Sequence, residues 1–164
     1  MKKIFIIHEN DEWIVSLKTE LNKLSTPFED WHMQKGNINC LKEPPQGVFY
    51  NRMSASSHTR GNRYSPEYTK IIVNWLENYN RRVINNSRAL CLELDKSLQY
   101  QELNKFGIKT PQTYYAIGKN EIIKAAKNFQ RPFITKHNRA GRGLGVYLFN
   151  NLFELEDYVF GNKF

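Results

Sequence analysis

The sequence predicts an α/β protein with a small, mostly parallel α/β lobe over residues 1–86 and a mixed α+β subdomain over residues 87–164. Short apolar runs alternate with amphipathic helical segments in the first part, and parallel neighbouring strands need such helical crossovers. In the second part the order strand, glycine-rich loop, strand is typical of a hairpin. A chain of 164 residues with 40% hydrophobic content suits one medium domain or two small lobes.

The predicted first lobe opens with an apolar strand at residues 4–7, and a helix follows in which leucine and isoleucine recur at helical spacing. A weaker extended segment at 28–33 and a buried strand at 47–50 come next. Ser65-Pro66 indicates a helix start, because the hydroxyl can cap free amides and proline needs no donor there. The expected buried face of that helix comprises Tyr68, Ile71, Ile72, Trp75, Leu76 and Tyr79. A brief strand at Val83-Ile84 ends this alternation.

The predicted second lobe begins with a helical stretch from Ser87 to Gly107, a glycine that fits a helix end. An extended segment at 113–116 and a helix capped by Asn120 follow. The predicted strands are 132–136 and 146–149, and Asn150-Asn151 begins a last amphipathic helix.

The chain is basic, with 24 Lys and Arg residues against 16 acidic ones, and residues 66–164 carry fifteen of the former and nine of the latter. This balance suits anionic ligands such as phosphates or nucleic acid, although a solvated basic surface would give the same count. Cys40 and Cys91 have no CxxC spacing, which indicates neither a disulfide framework nor a zinc site. No apolar run is long enough for a membrane span or a signal-peptide core, so we expect a cytoplasmic protein.

Residues 131–145 combine basic side chains with three glycines at alternate positions and contain no acidic residue. Glycines let backbone amides approach an anion closely, and lysine and arginine supply charge, so this segment is a candidate phosphate cover. Its position between two strands excludes a Walker loop and a dinucleotide fingerprint, both of which precede a helix. A merely flexible turn is the alternative.

Several segments in series resemble the front of an ATP-grasp fold, most closely the RimK-like group of glutamate and peptide ligases. They are Asp95-Lys96-Ser97, residues 107–113, the strand that ends at Lys136, and the glycine hairpin. The resemblance implies that both lysines contact ATP phosphates and that the hairpin closes over them. The implied phosphate-binding set is Lys96, Lys136, Gly141, Arg142, Gly143 and Gly145.

The same resemblance implies a carboxylate–amine ligase that uses ATP and Mg²⁺. Such an enzyme phosphorylates a substrate carboxylate, and an amine then attacks the acylphosphate. In the family, the magnesium ligands lie in a larger C-terminal lobe, which the few residues after Val159 cannot form. We therefore expect the 164-residue chain alone to lack ligase turnover, and no catalytic residue is assigned.

A loop at residues 51–63 follows a predicted strand, at the edge where a parallel sheet places ligand groups. The resemblance implies that residues 1–86 form a pre-ATP-grasp lobe, which commonly helps to receive the acceptor substrate. The alternative is that residues 51–63 are an ordinary surface loop. The candidate substrate residues, which suit a carboxylate or a phosphate, are Arg52, Ser54, Ser57, His58 and Arg60. His8 could line the same edge or be structural. His32 and His137 have no partner at ligand spacing, so no metal site is predicted.

The alternative function is a non-enzymatic module that binds RNA or another polyanion. Base stacking needs aromatic residues interleaved with lysines, whereas the arginines of the hairpin lie among glycines. That pattern argues against nucleic acid as the partner, and nothing indicates a membrane partner.

Overall fold

The computed structural model describes residues 3–130, 132–138 and 145–161. Its strands are β1 (Ile4–His8), β2 (Phe28–His32), β3 (Val48–Asn51), β4 (Arg82–Ile84), β5 (Phe133–Lys136) and β6 (Val146–Phe149). Its α-helices are α1 (Val15–Lys23), α2 (Ser65–Asn78), α3 (Ser87–Leu94), α4 (Lys96–Lys105), α5 (Lys119–Ala126) and α6 (Leu152–Phe160). Short 3-10 helices cover Glu12–Ile14 and Ala55–Arg60. None of the helices in these ranges is long and apolar enough to cross a membrane.

The chain divides into two compact units, one ending at Leu94 and the other beginning at Asp95, which we call the N-terminal unit and the C-terminal unit. The boundary predicted from the sequence, 86/87, lies eight residues earlier and assigns α3 to the second lobe. In the structure α3 belongs to the N-terminal unit, because Leu90 is part of that unit's hydrophobic core.

The N-terminal unit is built on a four-stranded sheet in the order β2-β1-β3-β4, with every neighbouring pair parallel. The parallel α/β prediction is thereby confirmed. Helix α2 packs on the sheet through Ile72, Trp75 and Leu76, as predicted. Ile71 was wrongly placed in that face: it is 51% exposed, and Val73 is buried instead, because Ile71 lies at the edge of the apolar arc of α2.

Helix α2 begins at Ser65 with Pro66 in its first turn, as the sequence predicts, but Ser65 does not cap it. The Ser65 hydroxyl donates instead to the carbonyl oxygen of Met33, at 2.8 Å. Ser65 is 5% exposed, so its hydroxyl satisfies a backbone acceptor just beyond β2 rather than a helix amide.

The C-terminal unit contains the predicted hairpin, with β5 and β6 paired antiparallel so that Phe133 faces Phe149 and Ile134 faces Leu148. Phe133 and Phe149 pack with residues of α5 and α6 in one hydrophobic core. Side chains alternate between the faces of a strand, so Ile134 and Leu148 lie on the other face, where they are 55% and 61% exposed.

Local signals at helix ends account for the other differences from the predicted elements. The predicted stretch from Ser87 breaks into α3 and α4 because Asp95 has an extended backbone. Gly107 ends α4 with φ +69°, as predicted. Helix α5 begins directly after Gly118 rather than with Asn120 as its cap.

Candidate functional site

Asn51 fixes the point where the candidate substrate loop leaves the sheet. Its side-chain amide donates to the carbonyl oxygen of Asn85 at 2.9 Å, and the Asn85 amide donates back to the Asn51 carbonyl at 2.9 Å. The Asn51 side-chain oxygen also accepts from the Met53 amide at 3.0 Å. These bonds join the ends of β3 and β4 and hold residues 51–53 at the carboxyl edge of the sheet.

A cavity of about 320 Å³ opens at this edge, within the N-terminal unit. Its wall includes Arg52 and Ser54 from the predicted substrate set, together with Glu93 of α3 and Trp13. One basic and one acidic residue therefore belong to the wall of the same small cavity. This pair can hold a ligand that carries both an anionic and a cationic group.

The remaining predicted substrate residues lie in the 3-10 helix Ala55–Arg60 and are not among the residues that line that cavity. Ser54 caps this helix, since its hydroxyl oxygen accepts from the Ser56 amide at 3.2 Å. His58 is exposed, with Nδ1 2.9 Å from the Ala55 carbonyl oxygen. Ser57 is fully buried, and its hydroxyl has no hydrogen-bond partner among the described residues.

Arg60 forms an ion pair with Glu9, which is 2% exposed and directly follows β1. Asn62 also donates to Glu9, at 3.0 Å, and the Arg60 guanidinium donates to the Ser56 hydroxyl at 3.1 Å. The guanidinium lies 4.7 Å from the centre of the Trp13 ring. Arg60 thus ties the loop to the sheet, with its charge balanced by Glu9.

Sequence reasoning missed Glu9, although an acidic residue directly after a buried strand is a usable signal. Its partner Arg60 is distant in sequence, on the other side of the loop. The pairing becomes visible only once β1 and β3 are known to be neighbours.

His8 and His32 end the adjacent strands β1 and β2 and stand opposite each other in the parallel register. Their ring centres are 4.8 Å apart, and His32 Nε2 lies 3.7 Å from a carboxylate oxygen of Asp11. Burial lowers the pKa of His8, and His32 lowers it further, while Asp30 and Asp11 act in the opposite direction. His8 is therefore neutral at neutral pH. The sequence spacing indicated no partner for His32, whereas in the structure His8 and Asp11 lie beside it.

In the C-terminal unit, Lys96 is the first residue of α4, and Asp95 caps that helix. The Asp95 side chain accepts from the Ser97 amide at 2.9 Å and the Ser97 hydroxyl at 2.6 Å. Asn138 donates to Asp95 at 2.7 Å and accepts from the Ser97 amide at 3.0 Å. The hydrogen bonds from Ser97 and Asn138 lower the pKa of Asp95 to about 2.

These bonds join the chain just after β5 to the start of α4, the two segments that carry the predicted phosphate lysines. Asn138 lies just beyond Lys136 at the end of β5, and it is bonded to the residues that flank Lys96 at the start of α4. The Lys96 ammonium donates to the Gln99 side chain at 3.2 Å, and the Lys136 side chain is exposed. The start of α4, which carries Lys96, is a helix N-terminus, and such an end favours anions.

Gly145, the last of the predicted hairpin glycines, needs to be glycine for two reasons. Its φ is +68°, and a Cβ there would come within 2.7 Å of the His137 ring. Gly141, Arg142 and Gly143 lie outside the described residues.

The sequence matches no protein-family model and no curated protein. Among solved structures, the chain is similar to a RimK domain ATP-grasp protein from Sphaerobacter thermophilus, with a TM-score of 0.69 and 16% sequence identity. The match covers 94% of this chain and 56% of that one, so the chain spans little more than half the length of the matched structure.

The fold is therefore that of an ATP-grasp protein. More narrowly, it is the RimK-like ATP-grasp fold in its N-terminal portion.

Proposed function

We propose that this chain is the ATP-binding part of an ATP-grasp carboxylate–amine ligase, and that the C-terminal unit holds the nucleotide. The observation that carries the proposal is the bond network of Asn138, which joins the strand end bearing Lys136 to the helix start bearing Lys96. A lysine at a helix start and a second lysine on the strand bonded to that start suit a triphosphate, since each ammonium neutralises phosphate charge.

The open face of the hairpin supports the same assignment. By alternation along the strands, Lys136 shares this face with Ile134, Val146 and Leu148, all of which are at least 37% exposed. A nucleobase needs an apolar surface within reach of the residues that hold its phosphates. Both kinds of surface occur here on one short sheet.

ATP-grasp enzymes generally use ATP with Mg²⁺, and ATP supplies the phosphoryl group that activates a carboxylate. Within the described part of the C-terminal unit, no group of three or more metal-ligating side chains comes together. We therefore assign phosphate binding, and not metal binding, to this unit's described residues. Lys96 and Lys136 hold and orient phosphate oxygens and transfer no proton.

The cavity of the N-terminal unit is the proposed substrate site, with Arg52 as the group that receives a carboxylate. Glu93 lines the same cavity and provides the opposite charge for an amine. A ligand with both a carboxylate and an amine, such as an amino acid or the end of a peptide, therefore complements the charges of the cavity. In this proposal Arg60 positions the loop through Glu9 and does not contact substrate.

The test is calorimetric titration of the protein with ATP at moderate salt. Lys136→Ala should weaken ATP binding by roughly 10- to 100-fold, the equivalent of one charge-assisted hydrogen bond of about 1.5–3 kcal/mol. Lys96→Arg keeps the charge and should lose less. Lys105→Ala, at the far end of the same helix α4, is the matched control and should bind ATP as the parent does.

Equal ATP affinity for Lys136→Ala and Lys105→Ala would contradict the phosphate assignment. Oligonucleotide binding that falls steeply with salt, without selective ATP binding, would instead favour the polyanion-binding module.

A further inference from the structure

The carboxyl edge of the N-terminal sheet carries a second cluster, formed by His8, Asp11 and His32, that the substrate cavity does not include. Each residue offers one ligand atom, and these atoms all lie within 4.8 Å of one another. His8 and His32 lie side by side because β1 and β2 pair in parallel. Asp11 lies near them because it follows β1 at the start of the 3-10 helix Glu12–Ile14.

His8 is the unusual member of this cluster because it is 1% exposed and neither of its ring nitrogens has a hydrogen-bond partner in the described part of the chain. A neutral imidazole has one donor and one acceptor, and leaving buried groups of this kind unsatisfied is costly. The other two members of the cluster each offer a ligand atom within 4.8 Å of it. A buried imidazole that faces a second imidazole and a carboxylate is typical of a metal ligand.

The distances fit coordination after a small adjustment. With metal–ligand bonds of about 2.0–2.2 Å, ligand atoms on one metal lie roughly 3–4 Å apart. His32 and Asp11 already meet this range at 3.7 Å. The Asp11 side chain is 75% exposed and can rotate towards His8 without disturbing the core.

The geometry points to a binding site for a divalent transition-metal ion, Zn²⁺ or one of similar preference, held by His8, Asp11 and His32. Two imidazoles and one carboxylate select such ions over Mg²⁺, which prefers oxygen ligands. Three protein ligands leave a coordination position open on the side of exposed Asp11. All three ligands belong to the N-terminal unit, so the site is argued and tested without the proposed ATP site.

The experiment uses Co²⁺ and Zn²⁺ alone on chelator-treated protein, in a Cys40→Ser background because Cys40 is an exposed thiol. Visible absorption follows Co²⁺ binding, and competition with a chromophoric chelator follows Zn²⁺. We expect one equivalent per chain, no displacement by Mg²⁺, and a higher urea midpoint when the metal is present.

The decisive variants are Asp11→Asn and His32→Gln, whose side chains are not fully buried. Each should weaken Zn²⁺ binding by at least about tenfold, the loss seen even when an indirect support of a metal ligand is removed. Glu12→Gln and His137→Gln change an adjacent carboxylate and a remote imidazole and should bind as the parent does. Equal binding by all four variants, or no Co²⁺ spectrum in the parent protein, would overturn the site.

Discussion

The two units of this chain cover their sheets to different extents. In the N-terminal unit, Ile6 packs with α1 on one face of the sheet, and Phe49 packs with α2 and α3 on the other. Among the described residues of the C-terminal unit, the sheet face with Phe133 and Phe149 is covered, whereas Ile134 and Leu148 on the other face are exposed. A sheet covered on both faces offers ligands only its edges, where the cavity and the histidine cluster lie. A two-stranded sheet with an open face is marginal by itself and offers that face for binding.

The largest expected effect tests the edge of the covered sheet. Glu9→Ala removes a buried carboxylate from Arg60 and should lower the free energy of unfolding by about 3–5 kcal/mol. Urea unfolding followed by tryptophan fluorescence reports on this unit, because Trp13, Trp31 and Trp75 all lie in it.

The matched control for that variant is Glu20→Ala, which breaks an exposed pair with Lys23 on α1. It should cost at most about 1 kcal/mol. If Glu9→Ala and Glu20→Ala unfold at the same urea concentration, the ion pair of Glu9 with Arg60 does not stabilise the candidate substrate loop against the sheet.

A second pair of variants compares the two faces of the C-terminal sheet. Leu155→Ala removes a fully buried side chain and should cost about 2–5 kcal/mol, whereas Leu148→Ala, on the open face, should change stability by less than about 0.5 kcal/mol. Hydrogen exchange of the α5 and α6 amides measures the change in stability of each variant. A loss from Leu148→Ala as large as that from Leu155→Ala would show that the open face is covered.

A smaller effect is expected at the cap that positions Lys96. Asp95→Ala should destabilise the C-terminal unit by about 1–2 kcal/mol, and Asp95→Asn should cost less because it keeps an oxygen acceptor. The α4 amides in hydrogen exchange report the difference.

The same residue sets a pH dependence. The pKa of Asp95 falls from 3.8 to about 2 on folding, so the stabilisation by its charge is complete above pH 4 and is lost as the pH falls towards 2. Asp95→Asn should lack this part of the acid transition. An identical acid profile for Asp95→Asn and the parent would show that the Asp95 charge contributes nothing.

Local sequence signals predicted the elements well, and long-range pairings escaped them. Gly107 and the Asn151 cap could be located because a helix end is decided by neighbouring residues. The candidate substrate loop could be located because it follows a predicted strand. The pairing of Arg60 with Glu9 could not be predicted, since it depends on the order of strands in the sheet, which is not local information. His8 and His32 were likewise unrelated in sequence and meet only through the register of β1 with β2.

Within the candidate substrate loop, the residues predicted together are in different surroundings. Arg52 and Ser54 line the cavity, whereas Ser57 is buried and His58 bonds its own turn. A basic side chain is available to an anionic ligand only if no carboxylate of the protein forms an ion pair with it. The sequence does not show which arginine is paired in this way. For the lysines, the family resemblance named the positions, and their phosphate-binding role stays a proposal; the Asn138 bonds link the helix start that carries Lys96 to the end of the strand that carries Lys136.

The central claim is that the C-terminal unit holds ATP through the start of α4 and the open face of the hairpin. Hydrogen exchange with and without ATP tests it most directly, with mass spectrometry to locate the protected peptides. The expected result is slower exchange in the first turn of α4 and in residues 132–149, with no change in β1 to β4. Protection confined to residues 51–63, or no protection in the C-terminal unit at saturating ATP, would contradict the claim.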